Sequence, residues 1–142
     1  MEAGSEFSRL YAGRLWSVMS WDQLTAFWGR LDPAGWYLYA VGEALPAAPA
    51  AAEQTTEFVR RVDALLRDDH RHDYCGIVYA DDIEQPSFVK IYDPNNLGVS
   101  CGFSTNPPLP GWIMSRVPPD DLQPQRRLPE GRRRWWQALS GG

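Results

Sequence analysis

Residues 36–41 read Trp36-Tyr37-Leu38-Tyr39-Ala40-Val41, an aromatic and aliphatic run closed by Gly42 and followed by a segment rich in proline and alanine. A run of this kind, too short for a helix and dense in aromatic residues, predicts a strand. The next two elements decide the fold class. From about Ala51 to Arg67, the residues Phe58, Val59, Val62, Leu65 and Leu66 recur at helical spacing, with Arg60, Arg61, Asp63 and Arg67 on the other side. That pattern predicts an amphipathic helix whose apolar stripe faces a sheet. Tyr74 to Ala80 then reads as a second strand. Strand, helix and strand in this order leave room for a right-handed crossover, so the two strands are expected to run parallel.

Working outward, Ser20-Trp21-Asp22-Gln23 has the form of a capping box. Leu24, Phe27, Trp28 and Leu31 extend it as a helix over about 21–31, which Asp32-Pro33 and Gly35 end. On the other side, Ser87 to Tyr92 reads as a strand that forms an antiparallel hairpin with Tyr74 to Ala80, around a loop holding Pro86. Asp93-Pro94-Asn95-Asn96 is a turn, and Leu97 to Phe103 is a candidate last strand. The expected order is α-β-α-β-β-β, a small α/β domain with a mixed sheet; α+β is the alternative. Six prolines between 107 and 124 predict an irregular strap, anchored on the domain by Trp112 and Ile113. Residues 1–7, with Gly4-Ser5-Glu6-Phe7, have the look of a cloning remnant and are set aside from the fold, which leaves a single domain over 8–124 and a tail over 125–142.

A chain of 142 residues is the length of one domain with one core. Its apolar runs are far shorter than the roughly 20 residues that cross a bilayer, and Glu2 and Glu6 stand where a secretory signal would carry basic residues. Two cysteines are too few for a disulfide framework, and the cytoplasm is the expected location. The net charge of -4 is unevenly spread: residues 125–142 hold five arginines and one glutamate, whereas residues 1–124 hold nine basic and seventeen acidic groups. An acidic body repels phosphate backbones, so nucleic-acid binding by the domain is not expected. The strand aromatics Trp36, Tyr37, Tyr39, Tyr74, Tyr79, Phe88 and Tyr92 are therefore expected to pack in a core rather than stack on bases.

Several constellations bear on chemistry. His70-x-His72-x-x-Cys75, with Cys101 downstream, contains ligands of the kind zinc selects, but neither paired CxxC nor HExxH spacing accompanies them. Gly98-Val99-Ser100-Cys101-Gly102 matches the G-x-S-x-G of a nucleophile elbow, yet both histidines precede the serine and no helix is evident after Gly102. Asn95, Asn96, Ser100 and Cys101 make residues 93–102 a candidate ligand loop. If the strands that hold Cys75 and Cys101 flank the Ser87 to Tyr92 strand, the two lie about 10 Å apart, beyond the reach of a disulfide, and both are expected as free thiols.

No cofactor is implied and no metal ligand is assigned. Arg132-Arg133-Arg134-Trp135-Trp136 joins the two residue types most enriched at binding hot spots and marks the tail as a partner-binding segment. The leading expectation is a non-catalytic cytosolic accessory protein that holds a protein partner through an aromatic surface and this tail. The alternatives are a thiol, sulfur or metal handling protein using Cys101, Cys75, His70 and His72, and a small enzyme centred on residues 93–102.

Overall fold

The computed structural model describes residues 5–70, 72–96 and 109–122. Within them the chain runs through α1 (Glu6–Ala12), β1 (Trp16–Val18), α2 (Trp21–Arg30), β2 (Tyr37–Ala40), α3 (Ala52–Asp69), β3 (Val78–Ala80), β4 (Phe88–Ile91), a 3-10 turn (Pro94–Asn96) and β5 (Trp112–Ser115). The helices begin where their caps stand. The Gln23 amide donates to the Ser20 hydroxyl at 3.0 Å and the Ser20 amide donates to Gln23 Oε1 at 3.1 Å, closing the capping box ahead of α2. At α3 the cap residue is Ala51, whose side chain offers no acceptor, and only the return bond from the Ala51 amide to Gln54 Oε1 is made, at 3.0 Å. The buried residues of α3, Thr55, Phe58, Val62 and Leu66, recur every three to four positions and form one stripe.

The five strands make one sheet in the order β1-β3-β4-β5-β2, with every neighbouring pair antiparallel. Helices interleaved with a small sheet agree with the α/β class read from the sequence, and the β3–β4 hairpin forms with Tyr79 opposite Lys90. The parallel crossover, and with it the mixed sheet, is corrected. β4 and β5 lie between β3 and β2, and the alternation of the ladders makes β2 and β3 run in opposite directions. A strand takes its direction from the neighbours it bonds to, and β2 bonds to β5.

That partner was hidden in the segment expected to be an irregular strap. Pro110, Pro118 and Pro119 lie outside the ends of β5, where they remove no ladder bond. Trp112 and Ile113 are thus not anchors of a strap but half of a fully buried inner strand.

Two further corrections concern the first sheet edge and the chain start. Residues 1–7 do not all stand apart from the fold: the Ser8 amide donates to the Ser5 hydroxyl at 3.0 Å to cap α1, and Phe7 is 1% exposed. Its ring meets Phe88 edge-on at 5.5 Å. The strand expected over 74–80 begins only at Val78; before it, the Cys75 and Gly76 amides donate to the Met19 and Val18 carbonyls at 2.7 and 2.9 Å. β1 itself was not foreseen. The expected strand from Leu97 to Phe103 and the tail over 125–142 lie outside the described residues.

Side chains along the inner strands alternate between two clusters, as strand geometry requires. Val89, Ile91, Trp112 and Met114 join Phe27, Phe58, Val62 and Leu66 of α2 and α3 on one face. Phe88 and Ile113 join Tyr39, Val41 and Phe7 on the other, beneath α1. Among the described residues no helix is long and apolar enough to cross a membrane.

Candidate functional site

The histidine and cysteine motif is split by the fold. His70 caps the end of α3, is 7% exposed, and has its ring 4.5 Å from that of His72. Its Nε2 lies 2.9 Å from the Cys75 carbonyl. A carbonyl only accepts, so Nε2 carries the proton and Nδ1 remains the acceptor of a neutral ring. Burial holds the His70 imidazole below its ordinary range. The Cys75 thiol belongs to the α2–α3 cluster, free and buried, and burial pushes its titration up. A thiol kept protonated in a core is a poor ligand and a poor nucleophile. Among the described residues no three His, Cys, Asp or Glu side chains are arranged to hold a metal ion.

The candidate ligand loop is described only in its first half. Asn95 donates from Nδ2 to an Asp69 carboxylate oxygen at 2.6 Å, tying the turn to the end of α3, and its amide donates to Asp93 Oδ1 at 2.9 Å. These bonds give Asn95 a fastening role. Asn96 closes the same turn. Ser100, Cys101, Arg132, Arg133, Arg134, Trp135 and Trp136 lie outside the described residues.

Two places carry the most distinctive surface chemistry, and at both of them aromatics expected in the core are not fully covered: Tyr74 is exposed, and Tyr79 and Tyr92 are only partly buried. The first is the sheet edge at β1. Trp16, Met19 and Tyr74 are 52%, 51% and 51% exposed, and the Cys75 to Met19 backbone bond brings the chain around Tyr74 alongside the end of β1. Beside β1 lies a groove of about 300 Å³, lined by Ser17, Val18, Gln23, Ala26, Arg30 and Glu84. Arg30 donates to the Ile83 carbonyl at 3.1 Å and stands 3.9 Å from Glu84, so α2 and the loop after β3 form one wall. The Ser17 hydroxyl is buried with no hydrogen-bond partner among the described residues.

The second place is Lys90 on β4, the middle strand of the sheet. Its Nζ lies 3.7 Å from the centroid of the Tyr11 ring. Tyr79 sits directly across the ladder, and the Tyr79 and Tyr92 rings meet edge-on at 5.8 Å. Burial raises the titration of the Tyr92 hydroxyl, and the Tyr11 and Tyr79 hydroxyls raise it further, which places all three phenols within electrostatic reach of one another.

Lost hydration holds the Lys90 amine below the ordinary lysine range. Among the described residues no carboxylate pairs with it. Lys90 is also the only lysine in the chain, against thirteen arginines, and that count was the signal by which the sequence could have revealed it. A compact ammonium on a flexible stem fits a half-buried site where the broad guanidinium fork does not.

Comparison of the chain with protein-family models, with curated proteins and with solved structures finds no match.

Proposed function

We propose that this chain is a non-catalytic accessory protein of the cytosol that binds an extended segment of a protein partner along β1. The observation that carries the reading is the exposure of Trp16, Met19 and Tyr74 around an edge strand. An edge strand presents unpaired backbone donors and acceptors to any segment laid beside it. Strand addition supplies affinity through those main-chain bonds and specificity through pockets for alternate side chains. The groove lined by Ser17, Gln23 and Arg30 has room for one such side chain, and Trp is a residue type that dominates binding hot spots. The buried free thiol of Cys75 accords with a reducing compartment. In this reading Arg132, Arg133, Arg134, Trp135 and Trp136 provide a second contact with the same partner.

A Trp16→Ser, Met19→Ser double variant tests it. Both side chains are half exposed, so near-UV circular dichroism and the melting temperature are expected to change little. Affinity for the partner captured by the unaltered chain is expected to fall by roughly 30-fold or more, the scale of losing a hot spot. Removal of residues 125–142 is expected to weaken the same complex without unfolding the domain. Unchanged affinity in the double variant contradicts the reading.

A further inference from the structure

We propose that Lys90, with the hydroxyls of Tyr79 and Tyr92, binds the oxyanion of a ligand, a carboxylate or a phosphate, beside the Tyr11 ring. The site is separate from the β1 edge and does not depend on the docking reading. Lys90, Tyr11, Tyr79 and Tyr92 are all partly buried and partly exposed, so the group is desolvated yet open to solvent. A cation in that state is ordinarily paired with an acid, and none of the described carboxylates serves Lys90. The Tyr11 ring face covers one side of the ammonium at 3.7 Å and favours its charged form. A ring face takes the place of water on that side only; the remaining ammonium N–H donors still want acceptors. Tyr79, opposite Lys90 on the ladder, and Tyr92, whose ring meets that of Tyr79, carry phenol hydroxyls that would add neutral donors, and charge-assisted bonds to an oxyanion are the strong class of hydrogen bond. Reduced hydration strengthens the attraction further.

The surrounding charge makes this a local recognition site. Residues 1–124 carry an excess of eight acidic groups, so the domain's long-range field disfavours anions and only short contacts can hold one. The choice of lysine at this single position, in a chain that otherwise uses arginine for every side-chain cation of fixed charge, fits a site where a small point charge must sit against a ring and leave space beside it.

One lysine means one lysine resonance. In the full chain labelled with carbon-13 at lysine Cε, titration with phosphate or with acetate, against chloride at equal ionic strength, reads the site directly. The expected result is a saturable shift of the Lys90 signal with phosphate, acetate or both, and only a small linear drift with chloride. Saturation with phosphate alone identifies a phosphate-bearing ligand; saturation with acetate alone identifies a carboxylate. Tyr79→Phe and Tyr92→Phe retain the rings and the packing, and each is expected to weaken saturation about tenfold. Linear drift with all three salts, or saturation indifferent to both tyrosine variants, overturns the proposal.

Discussion

The two faces of the sheet obey different rules. On the α2–α3 side, Trp36, Phe27, Phe58, Val62, Leu66 and Trp112 form a cluster of fully buried apolar side chains, closed by two helices whose stripes repeat at helical period. On the α1 side, a seven-residue helix lays Phe7 on Phe88, Tyr39 and Ile113, and Lys90, against the Tyr11 ring, and Tyr79, opposite it on the ladder, stand partly exposed at the margin of the layer. Tyr39 shows the mixture within one side chain: its ring is buried, while its hydroxyl accepts from the Leu122 amide at 3.2 Å and lies 3.3 Å from Asp121. The lesson is a division of labour. The first face secures the fold, and the second is where polar chemistry can be placed without opening the main core.

Substitutions on the two faces sharpen this contrast. Trp112→Ala, which empties the centre of the α2–α3 side, is expected to lose about 4 kcal/mol, near the upper range for an aromatic core truncation. Phe7→Ala is expected to lose about 3 kcal/mol, because the short α1 can move to fill part of the space. Urea unfolding measures both; a Phe7 loss equal to or above that of Trp112 removes the asymmetry. Ser20→Ala leaves both faces intact but strips the cap from α2, and about 1 kcal/mol is expected from the same measurement.

Smaller effects come from titration. The folded amine of Lys90 titrates below its unfolded value of 10.5, so between the two the unfolded chain holds more protons. Stability is expected to rise with pH across that window, and Lys90→Met to flatten the rise. His70 is likewise depressed below 6.5, so its contribution is fully present near neutrality and is lost as pH falls from 6.5 through the folded value. Melting temperatures measured from pH 7 to pH 5 are expected to show a decline that His70→Gln reduces.

Legibility followed the same division. The α2–α3 side was readable because its signals are local: a capping box at Ser20 to Gln23, an apolar stripe from Phe58 to Leu66, and an apolar run at Trp36 to Val41. The α1 side joins residues more than seventy positions apart, as in Tyr39 with Ile113 and Phe7 with Phe88, and no local period announces such pairs. β1 has three residues, too few to display alternation, and β5 was disguised by flanking prolines. Strand direction failed for a related reason. The crossover rule presumes that successive strands share a neighbourhood, whereas β2 found its ladder with a strand about seventy residues later.

At the candidate sites, the rings of His70 and His72 did come together, while the His70 Nε2 is engaged by the Cys75 carbonyl and the Cys75 thiol lies in the core. Trp16 and Lys90 carried no motif at all. Their distinction lies in exposure and in solitude, which are properties of the folded chain and of the whole composition.

In the proposed function the β1 edge receives a partner's extended segment. Site-specific photo-crosslinking in the producing cells tests it most directly, with the reactive side chain placed at position 16 or 19 on the edge, or at the exposed position 56 of α3 as a control. One and the same protein is expected to be joined at positions 16 and 19, through a single short segment identified by mass spectrometry, and to be absent at position 56. Crosslinks of equal identity and yield at all three positions, or none at the two edge positions, would contradict it.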